Sequence, residues 1–280
     1  MKIKVMSDST CDLPKELIEK YDISIVPLIV VKDNEAFSDG VTITTDEIFA
    51  HVAAGGNLCS TAAVNVADYQ ERFAEFADKY DAVIHINISS EISSSYQNAT
   101  LAAGEFDNVI TIDSRNLCTG QGLVVLKACE LAETASSVEE IKEKLIDFTS
   151  KVESSFLIER LDYMVKGGRC SMVAALGANL LGLKPCIEVK DGKMSVVKKY
   201  RGNYAKSLAS YVKERLDGRN DLDKKYLFVS HTPVSDDCKT AVKDAVTEHA
   251  DFENIYWAPA GCTISCHCGP GTLGLLFAKK

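Results

Sequence analysis

Short apolar runs alternate along the first part of the chain with segments whose apolar residues recur at helical spacing. The apolar runs predict buried strands at residues 3–6, 23–31, 82–88 and 109–113. The helical segments lie at residues 14–20, 46–54, 66–79, 95–104 and 137–152. A strand followed by a helix, repeated several times, is typical of a parallel sheet that is covered on both faces.

Polar residues mark the starts of three of these helices. Thr45 and Asn65 can each accept a hydrogen bond from the first turn of the helix that follows. Ser137 and Glu140 have the spacing of a capping box.

The pattern changes after about residue 155. Short helices are predicted at residues 161–164 and 172–181, and Asp191-Gly192 between two β-type runs predicts a hairpin. Two more strand–helix pairs follow, with strands at residues 226–230 and 255–258.

These elements predict an α/β fold with mainly parallel sheets. We expect an N-terminal α/β lobe at residues 1–155, a C-terminal α/β lobe at residues 156–280, and a cleft where the two lobes meet.

Composition argues against several classes of function. The net charge of −9 and the scattered lysines and arginines disfavour nucleic-acid binding, which needs a basic face. No apolar stretch is long enough to span a bilayer, and the first residues indicate a strand rather than a signal peptide. The ten cysteines lie mostly one at a time in apolar segments, which indicates reduced thiols in a cytoplasmic protein.

Polar loops follow three of the predicted strands, at residues 7–10, 89–95 and 113–115. Ligands of open parallel sheets bind at the carboxyl ends of the strands, so these loops are candidates for a polar site, although each could simply cap a helix. Thr61 lies shortly before a helix whose dipole favours an anion nearby.

His267 lies in an unusual setting near the end of the chain. Gly269, Pro270 and Gly271 predict a rigid turn, and the residues after it are apolar. A histidine held at such a corner can supply one polar contact at the end of an apolar pocket.

A metal site at this histidine is disfavoured. Cys262, Cys266 and Cys268 crowd into one segment, and no second cysteine pair exists to complete a structural zinc site. On an extended chain, Cys266 and Cys268 would point away from His267. We therefore predict no metal.

The alternative hypothesis is that the protein is an enzyme. An acyl hydrolase or transferase could use Ser93 as nucleophile and His267 as base, with Asp8 or Asp113 as the acid. The Gly-x-Ser-x-Gly nucleophile elbow is absent, however. Gly167 and Gly168 lack the spacing of a P-loop, so no nucleotide cofactor is predicted.

In this order, the segments resemble the DegV family of bacterial fatty-acid-binding proteins. The resemblance runs from the first strand to the last residues, through segments 8–14, 60–61, 89–97, 113–114, 166–171, 176–177, 184–185, 201–202 and 267–271. The chain departs from the family pattern at Ala62, where a hydroxyl is common, and at Glu91 and Ser94, where glycines are common.

The resemblance implies two α/β lobes with a long-chain fatty acid in a tunnel between them. Thr61 and Ser93 would hold the carboxylate, and His267 would lie close by. The apolar segments at residues 23–31, 123–131 and 172–181 offer lining for the tail.

The resemblance also implies that the protein is not itself an enzyme and needs no cofactor besides its bound lipid. A separate ATP-dependent fatty acid kinase would convert the presented acid into an acyl phosphate for phospholipid metabolism. Arg201 matches a position linked to that transfer. Transient membrane contact is compatible with this role.

Overall fold

The structure is a computed structural model that describes residues 1–171 and 182–280. The strands of these residues are β1 Ile3–Asp8, β2 Ser24–Val26, β3 Ile29–Lys32, β4 Glu35–Ser38, β5 Ser60–Ala62, β6 Ala82–Asn87, β7 Val109–Asp113, β8 Val152–Leu157, β9 Leu183–Lys190, β10 Lys193–Arg201, β11 Leu222–His231, β12 Asn254–Pro259 and β13 Leu273–Lys279.

The helices are α1 Lys15–Lys20, α2 Thr45–Ala53, α3 Val66–Ala77, α4 Ser95–Ala103, α5 Cys118–Thr134, α6 Val138–Thr149, α7 Asp162–Gly167, α8 Tyr204–Leu216, α9 Asp236–His249 and α10 Cys262–Cys268. The helix expected at residues 172–181 lies outside the described residues. No helix in the part of the chain that the structure describes combines the length and apolarity needed to cross a membrane.

A four-stranded parallel sheet forms the first half of the fold. Its strand order is β2-β1-β6-β7, and every neighbouring pair is parallel. The carboxyl ends of β1, β6 and β7 therefore lie side by side, with the loops that follow them at one edge of the sheet. The predicted α/β class with a mainly parallel sheet is confirmed here.

The six-stranded sheet of the second half is mainly antiparallel, which differs from the expectation. Its order is β10-β9-β8-β13-β11-β12, and only β11 and β12 are parallel neighbours. The hairpin at Asp191-Gly192 is confirmed and makes β9 and β10 antiparallel. The terminal segment forms β13, which lies antiparallel between β8 and β11. Being buried on both faces, β13 suits a central position.

The apolar run at residues 23–31 was expected as one strand but forms two. Strand β2 joins the four-stranded sheet, whereas β3 pairs with β4 and β5 in a small antiparallel sheet. Pro27, between them, has no N–H to donate to a strand partner, so a continuous ladder cannot pass through it. The break creates the sheet whose edge strand carries Thr61.

Helix α5 lies between the two large sheets. Its residues pack in one apolar cluster with Ile84 and Ile86 of the parallel sheet and with Phe156 and Leu276 of the six-stranded sheet. Helices α3 and α4 cover the other face of the parallel sheet, and α8 and α9 cover the other face of the six-stranded sheet. Residues 118–126 of α5 are all buried between the sheets, whereas Lys127, Glu130 and Glu133 in its second half reach the surface.

The capping predictions hold in part. Asn65 caps α3, and Ser137 caps α6 by accepting from the Glu140 backbone N–H. The cap of α2 is Thr44 rather than Thr45, because the Thr44 side chain accepts from the Glu47 N–H at 3.3 Å and the Glu47 carboxylate accepts from the Thr44 N–H.

Helix α6 ends at Thr149, before the expected residue 152, where β8 begins. The division into lobes at residue 155 stays a prediction, and β8 spans it.

Candidate functional site

A cavity draws its walls from both halves of the chain. Its apolar walls include Leu28, Ile88, Ile92, Leu117, Met164 and Ile264. Its polar groups include those of Thr61, Ser93, Arg169 and His267. The three residues predicted to surround a head group thus line one cavity, although they lie far apart in the sequence.

Thr61 is held by the small antiparallel sheet rather than by a helix start. It lies in β5, opposite Val30 of β3. Its Oγ1 is 2.8 Å from the Nε2 atom of His267, a hydrogen bond whose donor depends on the imidazole tautomer. The bond joins residues 206 positions apart and ties the small sheet to α10.

Helix α10 carries His267, and this corrects the extended chain assumed for residues 262–268. The carboxylate of Asp39 accepts hydrogen bonds from the backbone N–H groups of Cys262, at 2.9 Å, and Thr263, at 3.2 Å. Gly261 has no side chain to cap the helix, so Asp39 satisfies these donors from a distant part of the chain. Ser9 donates to the same carboxylate at 2.8 Å.

The helix separates the neighbouring cysteines. Cys266 packs with Cys59 and Cys262 in a small buried cluster, and Cys268 belongs to the main core. All ten cysteines are buried. Within residues 1–171 and 182–280, no group of three or more His, Cys, Asp or Glu residues is arranged to hold a metal ion.

His267 is poised as a neutral imidazole. Burial, with a smaller contribution from the positive charge of Arg169, lowers the pKa of His267 from 6.5 to about 4. Its Nδ1 atom is buried and has no hydrogen-bond partner among the described residues. A Cβ at Gly167 would lie 2.2 Å from this Nδ1, so the backbone of α7 approaches the ring as only a glycine allows.

Ser93 lies in the turn between β6 and α4 and is half-buried. Its Oγ accepts a hydrogen bond from the Ser95 backbone N–H at 3.2 Å and lies 2.9 Å from the Ser95 Oγ. The side chain therefore bonds to the first N–H of α4 while also lining the cavity.

Arg169 and Asp39 belong to the site but were missed as site residues in the sequence. Arg169 lines the cavity and places a guanidinium near His267; its proximity to the Gly167-Gly168 pair was the available signal. Asp39 gave no signal, because only the tertiary fold brings it to the start of α10. Arg201 ends β10, is exposed and is not among the described cavity residues.

The residues considered for a catalytic triad have other partners. His267 bonds Thr61 rather than Ser93. Asp8 is fully buried, where it accepts hydrogen bonds from Tyr69, Asn87 and the Ile88 N–H. Asp113 accepts hydrogen bonds from the Ser90 side chain and from the Arg115 N–H. Both carboxylates thus tie loops of the parallel sheet together.

A second cavity adjoins the first. The two share Leu117, Ile264 and Cys268 in their walls. The hydroxyls in its wall bond to protein groups. Ser230 Oγ is 2.6 Å from Thr119 Oγ1, and Thr232 Oγ1 accepts from the Thr272 N–H at 2.9 Å. The second cavity therefore presents mainly carbon.

Fold and site together define an α/β protein with a largely apolar cavity that is also lined by Thr61, Ser93, Arg169 and His267. The family model described as "Uncharacterised protein, DegV family" matches residues 2–280. A DegV domain-containing protein of Clostridium acetobutylicum is 34% identical, and one of Clostridium perfringens is 33% identical; each match covers 100% of this chain and 99% of the relative. The chain belongs to the DegV family, which confirms the resemblance seen in its motifs.

Solved structures of similar proteins carry ligand information. A DegV family protein from Thermus thermophilus, described by its fatty acid binding, matches with a TM-score of 0.90 at 27% identity, covering 100% of both chains. DegV of Bacillus subtilis, described as a fatty acid binding protein, matches with a TM-score of 0.83 at 27% identity, also over 100% of both chains. A stearic acid-binding protein from Eubacterium ventriosum matches with a TM-score of 0.84 at 27% identity, covering 99% of this chain and 98% of that one.

We expect NMR titration of His267 in the ligand-free protein to give a pKa of about 4. Arg169→Gln should raise this pKa toward 6.5 without reaching it, because burial remains. Since the folded-state pKa lies below the unfolded one, the stability linked to His267 is present above pH 6.5 and is lost as pH falls through about 4. Arg160→Gln, at an exposed arginine paired with Asp162, is the control. A wild-type pKa near 6.5 would contradict this account.

Proposed function

We propose that this protein binds a long-chain fatty acid in the two adjoining cavities and presents it to a separate kinase, without being a catalyst itself. The observation that carries the proposal is that Thr61, Ser93 and His267 line one cavity and that the adjoining cavity is apolar; these three residues are called the polar cluster. The fatty-acid-binding relatives of the same fold support it.

The apolar walls would supply most of the affinity. Each methylene that leaves water contributes about 0.8 kcal/mol, so a sixteen-carbon tail contributes on the order of 10 kcal/mol before the entropy of association is subtracted. The second cavity suits this tail because its hydroxyls already bond to protein groups. The tail would pass from the first cavity to the second beside Ile264 and Cys268, which line both.

The polar cluster would orient the head group. A buried carboxylate must be hydrogen-bonded, and the hydroxyls of Thr61 and Ser93 are donors of the required kind. Arg169 would offset its charge, and His267 would be drawn toward its protonated form by the nearby anion. A half-buried imidazole beside a carboxylate then becomes a second charged donor.

The hydrogen-bond partners of the polar residues favour a carrier over an acyl hydrolase. The imidazole of His267 contacts the Thr61 hydroxyl, and the two candidate acids are engaged in loop contacts. A hydrolase would need a base that reaches Ser93 and an acid that orients that base. Covalent labelling of Ser93 by a fluorophosphonate would contradict the carrier role.

Arg201 is the proposed contact for phosphoryl transfer by the partner. It is exposed at the end of β10, outside the described cavity lining, so it can meet another protein while the lipid stays enclosed. A guanidinium suits a phosphate group, which it can bind through two N–H donors. The cytoplasmic location, and the absence of nucleic-acid partners and cofactors, stay predictions.

The double variant Thr61→Ala with Ser93→Ala should fold normally and lose most of its affinity for oleate. Two hydrogen bonds to a charged group contribute on the order of 3 kcal/mol together, which corresponds to a weakening of about 100-fold. Calorimetric titration with oleate measures it. The matched control is Ser60→Ala with Ser94→Ala, which removes the exposed neighbouring hydroxyls and should leave affinity unchanged. Equal affinity in both double variants would contradict the proposed head-group site.

Arg201→Ala should leave oleate binding unchanged and abolish acyl-phosphate formation by a fatty acid kinase supplied with ATP and magnesium. Lys199→Ala, at another exposed residue of β10, removes a positive charge from the same strand and should retain most of the activity. An unchanged rate in Arg201→Ala would place the partner contact elsewhere on the protein.

A further inference from the structure

The tip of the β9–β10 hairpin is attached to the loops that follow β6 and β7. The Ser89 hydroxyl donates to the Gly192 carbonyl at 2.9 Å, and the Arg115 guanidinium donates to the Asp191 carbonyl. Lys193 lies 3.4 Å from Glu91. Three contacts therefore connect a turn of the six-stranded sheet to one edge of the parallel sheet.

The contact at Gly192 leaves no room for a side chain. Gly192 is buried and has a φ of +80°, in the left-handed region, and a Cβ there would lie 2.5 Å from the Ser89 Oγ. Ser89 itself is completely buried. The buried Ser89 hydroxyl and the Gly192 carbonyl have no water as an alternative partner, so their hydrogen bond fixes the distance between the hairpin tip and Ser89.

Ser89 is also the base of the turn that carries Ser93. Its carbonyl accepts hydrogen bonds from the N–H groups of Ile92, at 2.9 Å, and Ser93, at 3.1 Å. Its hydroxyl accepts from the Glu91 N–H at 3.3 Å while donating to Gly192. The backbone N–H groups of Ile92 and Ser93 are therefore held by the Ser89 carbonyl.

The same hairpin forms part of the cavity. Met194, two residues beyond Gly192, lines the first cavity together with Ile92 and Ser93. The hairpin therefore bonds the base of the Ser93 turn through Ser89 and shares the cavity lining with Ser93 through Met194. The hydrogen bonds of Ser89 described above involve neither Thr61 nor His267.

We propose that Ser89, fixed by the hairpin tip at Gly192, is a positioning residue that sets the place of the Ser93 hydroxyl for the ligand head group. The inference rests on the proposed fatty-acid site. Ser89 does not touch the ligand; it acts through the turn hydrogen bonds to Ile92 and Ser93.

The test compares Ser89→Ala in two backgrounds, the native protein and Ser93→Ala, by calorimetric titration with oleate. In the native background, the loss of the two hydrogen bonds of the Ser89 hydroxyl, to Gly192 and from Glu91, should weaken oleate binding about 3- to 10-fold. In the Ser93→Ala background the same substitution should change affinity by less than about 2-fold, since the group that it positions is gone. Ser90→Ala is the control, because its exposed hydroxyl bonds Asp113 instead of the hairpin.

Equal weakening of oleate binding in both backgrounds would overturn the inference. A residue that only stabilises the fold would change the binding free energy by the same amount with or without the Ser93 hydroxyl. An unchanged affinity of Ser89→Ala in the native protein would overturn it too. If Ser93→Ala alone binds oleate as well as the native protein, the head-group role of Ser93 fails, and the inference fails with it. If no variant and no native protein binds oleate, the proposed function itself is wrong.

Gly192→Ala perturbs the same hydrogen bond from the hairpin side. It replaces Ser89→Ala in the test if that variant does not fold. Its Cβ would press on the Ser89 hydroxyl, so it should weaken oleate binding in the native background and have little effect in Ser93→Ala. Equal effects in the two backgrounds would overturn the inference in this variant as well.

Discussion

The hydrogen bond between Thr61 and His267 is the point on which the proposed head-group site depends. It requires two separate parts of the fold to be in place. Pairing of β5 with β3 sets Thr61, and the Asp39 carboxylate at the start of α10 sets the helix that ends in His267. Asp39 also receives the Ser9 hydroxyl from the end of β1, so the parallel sheet, the small sheet and α10 are linked through one buried acid.

A second constraint is electrostatic. His267 stays neutral in an apolar setting because burial disfavours its charge and Arg169 lies nearby. A fatty acid would reverse this balance by bringing a negative charge to the imidazole. The head group and the site would thus neutralise each other, while the apolar second cavity takes the tail without competing hydrogen bonds. Affinity and orientation would come from different parts of the same cavity.

Much of the parallel half could be predicted from the sequence, since strands β1, β6 and β7 are short apolar runs followed by loops and helices. The six-stranded sheet could not, because the direction of β13 depends on its tertiary neighbours β8 and β11. Thr61, Ser93 and His267 were selected through a family resemblance, and the fold brings them to one cavity. Asp39 and Ser89 act through contacts between distant segments, which no local pattern encodes.

Denaturing extraction followed by mass spectrometry of the purified protein, without prior delipidation, tests the central claim most directly. The account predicts a long-chain fatty acid at close to one molecule per chain, because the cavity buries a tail that water would otherwise surround. A protein that carries no fatty acid and takes up neither added oleate nor palmitate would contradict it. The cavity around Thr61, Ser93 and His267 would then have to serve another ligand or a reaction.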